Sequence, residues 1–215
     1  MFMPEFKNLP TVLPVFPLSG AVVMPGTQLP LNIFEPRYLD MITHTLGGDR
    51  IIGMIQPRLV DGDRELCLTG CAGRITSFSE ADDERFFIVL SGLCRFDVLE
   101  EITTEHNYRS FHVDWSRFES DYDSSQVLFS DNTRDDLMDE VKLFASTKKA
   151  EIDIEGLQKL DDVSLVNVLT CGLGFEPTEV QGLIESVLLE DRCKLLSGLL
   201  QMEMHSLSNT QSLTH

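Results

Sequence analysis

The chain has 215 residues, 42% of them hydrophobic and 24% charged, which suits a folded soluble protein with a sizeable core and excludes wholesale disorder. Its 17 basic and 35 acidic side chains give a formal net charge of -18, which repels polyanions and argues against a nucleic-acid partner. No apolar run reaches the roughly 18 residues of a membrane span, and the opening "MFMPEFKNLP" lacks a basic segment followed by an apolar one. A cytoplasmic location without a membrane partner is therefore expected.

The first half reads as short strands broken by turn signals. "LPVFPL" is a strand, Pro25-Gly26 is turn chemistry, and "TQLPLNIF" is extended, with Pro30 suited to an edge or bulge. Glu35 then stands at a helix N-cap and Pro36 at the first helical position, with Tyr38, Met41, Ile42 and Thr45 on one face until Gly47. "RIIGMI", "RITSF", "RFFIVLSG", "RFDVLE" and "YRSFHVDW" are further strands. In the last of these Phe111, Val113 and Trp115 alternate with the period of two that a half-buried strand requires. "SEADDERF" reads as a hairpin connection and "DGDRE", residues 61–65, as a loop. Such close-spaced strands predict an antiparallel sheet curled into a small barrel.

After the polar stretch "FESDYDSSQ" the apolar period changes to about 3.6. Leu137, Val141 and Phe144 share a stripe, and a helix from about Asp162 ends near Gly172 or Gly174. Pro177 opens another helix with Val180, Leu183, Ile184 and Val187 inward, and "EDRCKLLSGLLQME" is the last. The fold class is α+β, with a β-rich domain over 1–120, a helical bundle over 121–206 and a flexible tail over 207–215. The helical part is the more acidic, 7 basic against 18 acidic side chains (net -11), compared with 10 against 17 (net -7) up to residue 120.

Candidate chemistry is sparse. Ser146 and Lys149 fit S-x-x-K and Ser130 begins "SDN", but both lie in one amphipathic helix and its start, and K-T-G is missing; an N-cap at Ser130 or Asn132 is the simpler account. Cys67 and Cys71, with Cys94 further on, lack a second ligand pair among His44, His106 and His112, so no metal is expected and the five cysteines read as reduced, packed thiols. "GLGFEP" lies between helices instead of following a strand, and no phosphate cradle occurs, so no cofactor is expected. No residue is assigned a catalytic role. The charged step Glu35-Pro36-Arg37 stands out of an apolar run; Glu35 is expected to cap the helix amides, with Glu35 and Arg37 the candidate protein-contact residues.

Taken in order, "LPVFPLSGAVVMPGTQLPLNIFEPRYLDMI", "GCAGRITSF" and "LSGLCRF" resemble the N-terminal domain of the Lon ATP-dependent protease family, in the form found as short standalone bacterial proteins. "LVNVLTCGLGFEPTEVQGLIE" is similar to the tail of those proteins. The resemblance implies a PUA-like pseudo-barrel with one helix packed across it, followed by a helical bundle. It also implies recognition of polypeptide substrates, or of a protease or chaperone partner, without the ATPase and Ser-Lys peptidase domains, and so no enzymatic activity. The competing expectation is a small-molecule-binding protein or enzyme that uses the cleft between barrel and bundle.

Overall fold

Alternation and turn chemistry place the strands, and a glycine lets a turn press closely onto one of them. The computed structural model describes residues 4–81, 84–122 and 131–212, with the side chains of 131, 132 and 207–212 left aside. The strands are β1 (Val12–Pro17), β2 (Gln28–Ile33), β3 (Ile51–Ile55), β4 (Pro57–Val60), β5 (Asp63–Leu66), β6 (Thr69–Glu80), β7 (Phe86–Ile102) and β8 (Arg109–Asp114), with helix α1 (Pro36–Leu46) between β2 and β3.

Among the described residues one sheet runs in the order β2-β7-β6-β3-β1-β8, and β8 returns to pair with β7. Strands β7, β6, β3, β1 and β8 thus close into a ring, and β2 hangs outside it on β7. Only the β1–β3 pairing in this sheet is parallel. Register shifts at Ala72/Gly73, Ile75/Ser77 and Val98/Glu100 supply the local bends that let the long strands curl.

Two sequence expectations need correction here. "RFFIVLSG" and "RFDVLE" are one continuous strand, β7, and Gly92 does not end it. Gly92 N donates to the Thr27 carbonyl (2.9 Å), and its own carbonyl accepts from Gly26 N (3.1 Å). A Cβ there would lie 2.0 Å from the Met24 carbonyl oxygen, so glycine lets the 24–27 turn press onto the strand. "DGDRE" is not a loop throughout either. Asp61 and Gly62 form the two-residue turn of the β4–β5 hairpin, both at positive φ (52° and 94°), as a tight primed turn demands.

Helix α1 lies across the ring with Tyr38, Met41, Ile42 and Thr45 inward. Tyr38, Met41 and Ile42 meet Phe16, Ile33, Ile75, Ile88 and Leu90 in one apolar cluster. A second cluster, including Leu13, Val15, Phe96, Phe111 and Trp115, fills the ring; Trp115 Nε1 donates to the Pro10 carbonyl (3.0 Å).

The helical part comprises α2 (Asp131–Lys148), α3 (Ile154–Gln158), α4 (Asp162–Gly172), α5 (Pro177–Glu185) and α6 (Leu189–Ser212). Leu137, Val141 and Phe144 of α2 pack with Leu165 and Leu169 of α4, Leu183 of α5 and Leu196 and Leu200 of α6. Met24 of the barrel-side turn enters this cluster, and Val187 packs on the ring's cluster, so each part contributes to the other's core. The last helix continues through Ser212, into the segment read from sequence as a tail. At the start of α4, Asp161 Oδ1 accepts from Ser164 N (2.8 Å) and Oδ2 from Ser164 Oγ (2.9 Å), satisfying an amide that the helix leaves free.

Gly92→Ala should destabilise the fold by about 1–3 kcal/mol because the facing group is backbone and cannot move aside. Gly198→Ala, in α6 with nothing within 4 Å of the added Cβ, should instead stabilise by about 0.5–1 kcal/mol; thermal denaturation of the two variants reads both signs. Asp161→Ala should cost about 1 kcal/mol at neutral pH. The backbone bond from Ser164 holds the Asp161 carboxyl below its ordinary value of 3.8. Its contribution is therefore present above that value and lost as pH falls through the lower, folded one, so wild type and variant should converge in acid urea titrations.

Candidate functional site

A buried arginine joins the two parts. Arg95, on β7, is 1% exposed and pairs with Asp121, whose side chain is 4% exposed (Nη2 to Oδ1, 2.7 Å). Asp121 Oδ2 also accepts from Arg95 Nε (2.9 Å) and from its backbone N (2.9 Å). The other arm of the guanidinium donates to the carbonyls of Ile184 (3.1 Å) and Ser186 (2.6 Å), which belong to the end of α5, where carbonyls lack helical partners and a cation is favoured. The Phe118 ring lies 4.4 Å from the guanidinium carbon.

Arg192, 2% exposed, reaches the same Ser186 carbonyl from α6 (3.1 Å) and donates to Asn167 Oδ1 (2.6 Å). Asn167 Nδ2 donates in turn to the Pro25 carbonyl (2.9 Å). Burial, and next the nearby charge of Arg95, push Arg192 down to about 9. The polar chain therefore runs from the barrel-side turn through α4 and α6 to β7.

Beside this junction lies a cleft of about 640 Å³ between the β4–β5 hairpin and α5. Its floor is amide. Gln56 Nε2 donates to the Pro177 carbonyl (2.9 Å) and to Gln181 Oε1 (3.2 Å), and Gln181 Nε2 donates to the Thr69 carbonyl (3.0 Å) and Glu185 Oε1 (2.8 Å). Both glutamines are buried, so each bond replaces lost water and fixes α5 against the barrel. The hairpin wall carries Arg58 and Arg64, the helix wall Glu176 and Glu185. Leu59, 74% exposed, stands at the lip. Cys67 also lines the cleft, but burial, then the Glu185 charge, push its thiol up, which disfavours the thiolate that nucleophilic chemistry needs. The arrangement offers hydrogen bonds, two signs of charge and an apolar lip, the means of holding a ligand.

Residues 12–202 match the family model described as the ATP-dependent protease La (Lon) substrate-binding domain. The chain belongs to this family. "Lon protease 2" of Myxococcus xanthus is 25% identical over 211 residues, covering 94% of this chain and 25% of the relative. "Lon protease" of Anaeromyxobacter dehalogenans gives the same figures. The chain thus spans about a quarter of the length of these curated relatives. Among solved structures, the N-terminal domain of Mycobacterium avium complex Lon protease superposes with a TM-score of 0.67 at 14% identity, covering 88% of this chain and 98% of that one. The Lon N-terminal domain protein from Xanthomonas campestris gives 0.60 at 22%, covering 86% and 96%. These likenesses show that the mixed sheet-and-helix fold is that of Lon N-terminal domains.

Within this family fold, Glu35 and Arg37 do not line the cleft. Glu35 occupies the N-cap position as expected, but its side chain makes no capping bond. Glu35 Oε2 instead accepts from Arg37 Nη2 (2.7 Å) and Nε (3.1 Å), because a charge-assisted fork two residues away outcompetes a neutral amide. Arg37 also lies over the Tyr38 ring at 4.5 Å.

Ser146 Oγ donates to the Leu143 carbonyl of its own helix (2.8 Å), and Ser130 lies outside the described residues. Among the described residues no three His, Cys, Asp or Glu side chains are placed to hold a metal. Sequence reasoning missed Arg95, Asp121, Gln56 and Gln181. The available signal was Arg95 itself, a charge between Leu93-Cys94 and Phe96 in a strand-patterned segment.

Arg95→Met should destabilise by about 3–5 kcal/mol, since it strands a buried carboxylate. Adding Asp121→Leu should recover part of that loss; urea denaturation of the single and double variants measures the coupling.

Proposed function

We propose that the chain is a recognition module that binds polypeptides, as substrates or as a protease or chaperone partner, and performs no chemistry itself. The observation that carries this reading is the match of residues 12–202 to a substrate-binding domain family. The cleft between the β4–β5 hairpin and α5 is the surface we assign to it, because Leu59, Arg58 and Arg64 present an apolar lip and cationic side chains to solvent beside Glu176 and Glu185. Polypeptide carries apolar side chains and both charges, so this mixed lining suits it. In this reading residues 1–120 are a PUA-like pseudo-barrel, residues 121–206 a helical bundle docked on it, and the setting is cytoplasmic. The exposed Glu35–Arg37 pair is a secondary contact on a separate surface.

One observation favours a second reading, a small-molecule site. A volume of about 640 Å³ lies within the usual range of ligand pockets, about 300–1,000 Å³, and a few convergent amides could orient a ligand there.

Fluorescence anisotropy with a labelled, permanently unfolded carboxymethylated lactalbumin tests the leading reading. Leu59→Asp and Arg64→Glu, both at exposed positions, should each weaken binding by about fivefold or more at unchanged melting temperature. Absence of binding by the wild-type protein, together with a metabolite that raises the melting temperature by several degrees, would favour the small-molecule reading.

A further inference from the structure

Past Arg74, where β3 stops pairing, β6 runs on to Glu80 with β7 on one side only. Among the described residues no strand covers its other edge, and Ser77, Phe78, Ser79 and Glu80 are all exposed. The edge of β2, on the far side of β7, carries Pro30, which spoils a ladder, whereas the distal edge of β6 holds neither proline nor lysine.

One face beside this edge is aromatic, and the other is polar at the edge itself and apolar one strand further in. On one, Phe78 (41% exposed) meets Phe86 edge to face at 5.0 Å between centroids. On the other, Ser77 and Ser79 adjoin Phe87 (44% exposed), Val89 and Pro30 around a groove of about 290 Å³, with no charged residue lining it. The carboxylates of Glu80 and Glu84 flank the hairpin's tip, on a chain whose net charge is -18.

We infer that the distal edge of β6, Ser77–Glu80, takes up an extended polypeptide segment of alternating apolar and basic residues by strand addition. Backbone groups of the edge that no described strand pairs supply the hydrogen bonds, Phe78 and Phe86 take the apolar side chains, and the serine face takes the alternate, basic ones. Glu80 and Glu84 select cationic residues, and the overall negative charge steers them in. A second copy of this chain fits poorly, since it brings the same charge and the same two glutamates to the edge. This surface is distinct from the cleft and shares with the preceding reading only that its ligand is polypeptide.

The probe is a short fluorescein-labelled peptide of alternating valine and lysine, titrated with the full chain at low salt. Saturable binding is expected, weakened about tenfold or more when alternate peptide nitrogens are methylated or when lysine is replaced by glutamate. Phe78→Asp should weaken it about fivefold or more, and so should Ser79→Lys, which alters only an exposed polar side chain. Leu59→Asp, in the cleft, should leave it unchanged. Three results would overturn the inference: equal binding of the methylated peptide, loss through Leu59→Asp alone, or self-association in sedimentation that Ser79→Lys dissolves. Failure here with retained lactalbumin binding leaves the cleft reading standing, and the converse isolates the edge.

Discussion

The relation between the sheet ring and the helices depends on one guanidinium. Arg95 sits in the buried stretch of β7, between Cys94 and Phe96, and donates to Asp121 and to the carbonyls at the end of α5. Charge burial of this kind contributes little net stability compared with a well-packed apolar replacement. It is costly to leave half made, however, so it penalises every arrangement in which α5 docks elsewhere. Arg192 adds a second cation to the same carbonyl, and its depressed basicity reflects what the protein spends to keep both inside. The turn at 24–27, which Gly92 lets press against β7, closes the same junction from the barrel side.

That fixed junction is what creates a cleft. Because Gln56 and Gln181 are bonded across it and Arg95 holds the far end of α5, the helix stands at a set distance from the β4–β5 hairpin. The ring's own geometry creates the second surface. β6 and β7 are longer than the strands that close with them, so their distal ends run past the ring, and among the described residues no strand pairs with the outer edge of β6 there. Cleft and edge lie at opposite ends of β6, since α5 is bonded at Thr69 and the free edge ends at Glu80.

Local pattern made much of this legible. The buried face of α1, its proline start and glycine stop follow directly from Pro36, Tyr38, Met41, Ile42, Thr45 and Gly47, because helical period and backbone preference act over a few residues. The inward residues of α2, and Val180, Leu183 and Ile184 of α5, follow for the same reason, whereas Val187 lies past the end of α5 and packs on the ring's cluster. Legibility failed where a residue's role is set by something distant in sequence. Gly92 looks like a strand terminus until Met24 is found against it. Glu35 failed for a different reason: its competitor Arg37 is only two residues away, and two local preferences, capping and ion pairing, contend for one carboxylate. Asp61-Gly62 is different, since its hairpin signal is local and present in the sequence.

By itself the sequence determined the family, the α+β class, the change from strand to helix period and the faces that turn inward, since these rest on periodicity and on ordered short motifs. Tertiary structure alone decided that the ring closes through β7 and β8, that Arg95 and Asp121 meet, that two glutamines line one cleft and that β6 runs on past the end of its pairing with β3. The reason is physical: contacts between residues far apart in the chain depend on loop closure and on the exclusion of water, and neither leaves a period in the sequence.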